Sequence, residues 1–131
     1  MRSVTIAGAV LLFVPATAQP IAQQHGVSLP APFHETDSSV PGHQTIMGVV
    51  DYAPGATTGR LLHGGEMVGY MVSGSVVLEQ DGVAPRVLKA GDMFVVPARA
   101  IHRTTNQDKA AARMFVTYLV DKTKAVTTPV R

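Results

Sequence analysis

From Thr45 onward the chain is built of short apolar runs separated by turn residues, the pattern of an all-β domain. Residues 45–52 predict one strand, closed by Pro54-Gly55, and residues 67–72 a second, closed by Ser73-Gly74-Ser75. Residues 76–80 and 86–89 are expected to pair as a hairpin through Asp81-Gly82, because glycine readily takes the positive φ such turns demand. Ala90-Gly91-Asp92 makes the next turn, residues 93–96 form a short buried strand that Pro97 stops, and residues 113–120 form the last long strand. Outside the first residues no stretch carries the 3.6-residue period of a sizeable amphipathic helix, and no internal repeat is present.

The chain before Thr45 reads differently. Arg2, an apolar run over residues 4–14 and Ala16-Thr17-Ala18 have the order of a charged start, an apolar centre and a small-residue cleavage site, so residues 1–18 are expected to be a signal peptide. The run is shorter than the roughly 20 residues a membrane span needs. The mature chain is then expected to start at Gln19, to be exported to the periplasm, and to carry no membrane span. Residues 19–44, interrupted by Pro20, Pro30 and Pro32, read as an arm whose Val27, Leu29 and Phe33 can dock on a barrel. Residues 45–121 hold the barrel, and 122–131 are a polar tail.

Composition narrows the classes. At 131 residues the chain has room for one domain, and 46% apolar residues are ample for its core. With 11 basic against 9 acidic residues and no basic cluster, nothing would neutralise a row of phosphates, so nucleic-acid binding has no electrostatic support. The absence of cysteine removes disulfides, thiolate metal sites and thiol nucleophiles together.

Two spaced motifs are more specific. Five residues separate Gly55 from Leu61, one separates Leu61 from His63, three separate His63 from Met67, and six separate Met67 from Gly74. Further on, five residues separate Gly91 from Pro97, Arg99 stands two beyond Pro97, and His102 and Asn106 follow after gaps of two and three. On these two frames the chain resembles the cupin superfamily. Its first motif sets Gly, His-x-His, Glu and Gly at the first set of intervals, and its second sets Gly, Pro-x-Gly, His and Asn at the second. The resemblance covers residues 49–120, and Leu88-Lys89-Ala90-Gly91-Asp92 followed by Val95-Val96-Pro97-Ala98 is similar to small single-domain members. It implies a double-stranded antiparallel β-barrel, or jelly roll.

The same resemblance implies a divalent transition metal (Mn, Fe, Ni, Cu or Zn) held inside the barrel by three His and one Glu. Here His63 and His102 occupy two ligand positions, while Leu61 and Met67 occupy the others. Leucine has no lone pair, and a thioether suits copper(I) better than the oxygen-chemistry metals. Glu66 lies one residue before the carboxylate position, so strict alternation points it out of the barrel; a bulge at Gly64-Gly65 would bring it back into a His63, Glu66, His102 set. Leu61, His63, Met67, Met71 and His102 are the expected lining of a ligand pocket. Met93 and Met114 are expected in the core or cavity, and Tyr70 and Tyr118 are candidate proton donors. Arg60, Arg99 and Arg103 are candidates to receive a carboxylate at the mouth, although solvated side chains are the favoured reading. His25, His34 and His43 are expected as exposed arm residues.

These readings favour a protein that binds a small, partly apolar ligand in the barrel. The alternative is a metal-dependent isomerase, cyclase or dioxygenase using His63, His102 and Glu66. A homodimer is expected as well, because residues 45–52 would otherwise present an unprotected strand edge.

Overall fold

The computed structural model of the protein describes residues 26–28 and 34–131. The expected signal peptide, the start at Gln19, His25, Leu29 and Phe33 lie outside these residues. Eleven strands are present among those described: β1 Val27–Ser28, β2 His34–Asp37, β3 His43–Tyr52, β4 Leu61–His63, β5 Gly65–Ser73, β6 Ser75–Gln80, β7 Val83–Lys89, β8 Met93–Val96, β9 His102–Thr105, β10 Ala112–Asp121 and β11 Thr127–Pro129. No described helix is long and apolar enough to cross a membrane.

The strands form two antiparallel sheets. One runs β1-β3-β10-β5-β8, with β2 also on β3; the other runs β11-β4-β9-β6-β7. From β3 to β11 the chain changes sheet at every step except the β6–β7 hairpin, and this alternation is the jelly-roll winding. The hairpin turns where the sequence predicts: Gln80 pairs with Val83 around Asp81-Gly82, and Gly82 has φ 77°.

Period-2 patterning directs one face of each strand inward. On β5, Met67 and Met71 are buried while Glu66, Val68 and Tyr70 are exposed; on β10, Met114, Val116, Tyr118 and Val120 are buried. Ile46, Met71, Leu88, Val96 and Val116 are fully buried between the sheets, each worth roughly 1.5–3 kcal/mol relative to exposure.

One feature departs from expectation, and one alternative is not realised. The strand over residues 45–52, extended to His43, is not a bare edge. It pairs with β10 along one side, and β1 and β2 of the arm cover the other. No bulge at Gly64-Gly65 resets the phase of β5, since Gly65, Met67 and Gly69 stay inside and Glu66 outside. The two glycines serve close approach instead: a Cβ on Gly65 would overlap the Leu119 carbonyl, and one on Gly64 the Ala125 carbonyl.

Candidate functional site

At one end of the barrel the buried faces of β3, β4, β5, β9 and β10 leave a cavity of about 40 Å³. His63, His102, Leu61, Met67 and Tyr118 line it, and Val27 of β1 and Thr127 of β11 contribute to its wall. Each side chain arrives by alternation. Leu61 and His63 flank the outward Leu62 on β4, while His102 and Thr104 flank the outward Arg103 on β9. The β4–β9 register sets Leu61 opposite His102.

The imidazoles of His63 and His102 lie 4.8 Å apart by ring centroids, and the edge of Tyr118 packs on His63 at 4.8 Å. Their orientation is held from behind. His63 Nδ1 is 3.2 Å from the Val126 carbonyl and 3.0 Å from Thr127 Oγ1, and His102 Nδ1 is 3.0 Å from the Ala100 carbonyl. A carbonyl can only accept, so both rings carry their hydrogen on Nδ1 and keep a lone pair on Nε2. No group among the described residues bonds either Nε2.

Burial, then the neighbouring His102, pushes His63 down to about 3 despite the opposing Val126 bond. Burial also lowers His102, against its bond to Ala100. Both are therefore neutral near pH 7. Tyr118 is raised by burial, and Tyr52 by burial and by Tyr118, so both phenols remain protonated. The Tyr118 hydroxyl likewise has no hydrogen-bond partner among the described residues. The result is an uncharged, mainly apolar cavity containing three unpaired polar atoms.

The remaining candidates are distributed differently. Glu66 stands on the outer face of β5, so a His63, Glu66, His102 set is not assembled. Met71 is fully buried but does not line the cavity; Met114 does line it, and Met93 is 75% exposed. Tyr70 is on the outer face, 43% exposed. His34 is exposed, and His43 bonds the Pro41 carbonyl outside the barrel. Arg60 pairs with Asp81 at 2.7 Å, and Arg103 forks onto Glu79 at 2.7 and 2.9 Å. With His102 these four line a recess of about 240 Å³.

Two motif residues have structural roles that spacing does not reveal. Asn106 is fully buried and shares its amide hydrogens among the carbonyls of Tyr52, Ala53 and Ala110. Arg99, where the resemblance has Gly, sits at φ 63°, and its amide donates to the His63 carbonyl at 2.9 Å, tying the second motif to the first.

The donors present do not suit an oxygen-preferring divalent ion such as Mn or Fe, and they would leave Ni or Zn with two imidazoles only. Among the described residues no group of three or more His, Cys, Asp or Glu converges.

A family model described as Cupin domain matches residues 48–118. An oxalate oxidase in complex with the substrate analogue glycolate shares this fold with a TM-score of 0.64 and 24% identity, over 95% of this chain and 66% of its own. The DMSP lyase DddQ from Ruegeria pomeroyi DSS-3 gives 0.59 and 20%, over 75% and 51%. A cupin superfamily protein from Desulfitobacterium hafniense DCB-2 gives 0.53 and 20%, over 69% and 79%. The chain thus spans just under two thirds of the oxalate oxidase chain, and at these identities the likeness is one of fold. No curated protein sequence matches significantly.

Proposed function

Because the chain belongs to the cupin domain family, we propose that it is an exported binding protein that takes a small, partly apolar ligand into the barrel between His63 and His102. The observation that supports this most directly is the orientation of the two imidazoles, whose Nδ1 hydrogens are bound to main-chain carbonyls while both Nε2 lone pairs remain unpaired. An unsatisfied buried polar atom costs about 1–3 kcal/mol, so a guest or ordered water that donates to these nitrogens is favoured.

Size and charge narrow the guest. A cavity of about 40 Å³ admits a molecule of only a few heavy atoms. Among the described residues no cation lines the cavity, and Arg60 and Arg103 are turned outward and paired. A bare carboxylate would therefore be desolvated without compensation, whereas a neutral donor would not. The metal-dependent enzymatic reading loses its carboxylate with Glu66 on the outer face.

Nitrogen-15 imidazole spectra test the reading. Small neutral donors such as formamide and ethylene glycol are expected to shift Nε2 of both His63 and His102, while acetate leaves them unmoved. A panel that shifts neither nitrogen, or acetate alone shifting them, refutes it. Export is tested by intact mass of the secreted protein, expected to begin at Gln19; retention of residues 1–18 refutes it.

A further inference from the structure

A second recess lies between the β6–β7 hairpin and the end of β8. Leu78, Gln80, Val83, Arg86, Val95 and Pro97 line a volume of about 210 Å³ there, and none of them borders the cavity of His63 and His102. β7 is the last strand of one sheet and β8 the last of the other, so the recess is walled by two strands that each lack a neighbour on one side. The hairpin register shapes it. Leu78 stands opposite Arg86 and Gln80 opposite Val83, which leaves Ala84 and Pro85 against the single residue Glu79. A bulge of this kind re-aims the side chains of its strand. Here Ala84 and Arg86, on either side of Pro85, both line the recess. Directly opposite residues share a face, so the Arg86 side chain leaves β7 on the side taken by Leu78, which is only 5% exposed.

Charge and polarity define what such a recess takes. Arg60, Arg103 and Arg113 each meet a carboxylate, whereas among the described residues Arg86 has no ion pair and no carboxylate lines the recess. Beside this guanidinium, Val83 is 52% and Val95 50% exposed, and Pro97 adds a third apolar wall. We propose that the recess binds a compact monocarboxylate with an apolar tail, its carboxylate on Arg86 and its tail against Val83, Val95 and Pro97. The planar guanidinium matches a carboxylate with two parallel hydrogen bonds, and Gln80 adds an amide donor to the same recess. An exposed ion pair alone contributes little, so covering the valines is needed as well. A neutral apolar molecule would leave Arg86 without a partner, and a bare inorganic anion would leave the valines in water. The volume lies below the roughly 300–1,000 Å³ of sites for drug-sized ligands, which restricts the acid to a small one. The site is separate from the barrel cavity and does not depend on the reading of that cavity.

The test titrates the full chain with benzoate and with hexanoate, followed by nitrogen-15 spectra of the backbone amides and of Arg86 Nε. Saturable shifts at Val83, Val95 and Arg86 are expected with both acids, while Nε2 of His63 and His102 stays unmoved. Benzamide keeps the ring and loses the charge, and acetate keeps the charge and loses the tail; each is expected to bind at least about tenfold more weakly than benzoate. Arg86→Gln should weaken benzoate by about the same factor. Absence of a saturable shift with either acid, shifts confined to other residues, benzamide or acetate binding as tightly as benzoate, or undiminished binding in Arg86→Gln overturns the proposal. The preference of the parent among the four probes decides the matter even if the variant does not fold. If the acids bind here while formamide and ethylene glycol leave both Nε2 resonances unmoved, the barrel reading fails alone; the converse result removes only this site.

Discussion

Asn106 fastens the β9–β10 connection to the end of β3. Its amide nitrogen is 3.3, 3.2 and 2.8 Å from the Tyr52, Ala53 and Ala110 carbonyls, and its Oδ1 accepts the Asp108 amide at 3.0 Å. Asn106→Ala leaves these groups without their partner, and a loss of about 2–3 kcal/mol is expected from urea unfolding. A loss below about 0.5 kcal/mol would mean that water replaces the amide. Arg99 carries the opposite sign. A non-glycine residue at positive φ costs about 1–2 kcal/mol, and glycine returns about 0.5–1 of that through its freer unfolded chain. Arg99→Gly is therefore expected to raise stability by up to about 1 kcal/mol; a measured loss would show that the guanidinium makes a compensating contact.

At the scale of elements, the segment that enters β11 fixes which nitrogen of His63 carries its hydrogen, while burial sets its charge. Thr127 pairs with His63 across β4 and β11, and the carbonyl and hydroxyl that hold Nδ1 both come from this segment. His63 is pushed down to about 3, chiefly by burial, from an unfolded value near 6.5. Between these values the unfolded chain binds a proton that the folded chain does not. Stability from this group is therefore complete above about pH 6.5 and declines as pH falls toward 3. His102 acts in the same direction. Urea unfolding followed from pH 7.5 to 4.5 is expected to show an unfolding free energy that falls by a few kcal/mol in total. A His63→Phe variant should show a smaller fall. Equal acid sensitivity in both chains would show that His63 does not carry the pH dependence.

Across the whole molecule, the first sheet leaves an apolar outer face. Met93, Tyr70, Phe115 and Val49 follow one another across β8, β5, β10 and β3, with Val95, Val68 and Met47 in the adjacent row around Thr117. Met93 is 75%, Val95 50% and Val68 46% exposed, a concentration typical of surfaces that meet a partner. The edge of β3 is covered by the arm, so this face replaces it as the support for a proposed homodimer, sheet against sheet about a two-fold axis. Sedimentation at micromolar concentration is expected to give a dimer for the parent and a monomer for Val68→Lys with Phe115→Lys. A monomeric parent, or a variant still dimeric, rejects the arrangement.

Alternation and turn chemistry made the long strands legible in the sequence: residues 45–52, 67–72 and 113–120 lie within β3, β5 and β10, and Asp81-Gly82 turns the hairpin. The resemblance carried by the two spaced motifs implied that His63 and His102 share one site, and the structure sets their rings 4.8 Å apart. Alternation already favoured an outward Glu66, and the packing of Gly65 against the Leu119 carbonyl decided it. β4, β9 and β11, of three or four residues each, were too short to carry a periodic signal and exist through pairing with distant partners. Which nitrogen of each histidine is free, that Val27 and Thr127 help enclose the cavity, and that Asn106 braces β3 depend on contacts spanning much of the chain. Local patterning determined which face each side chain takes; only the closed tertiary structure decided what it meets there, because those partners are distant in sequence.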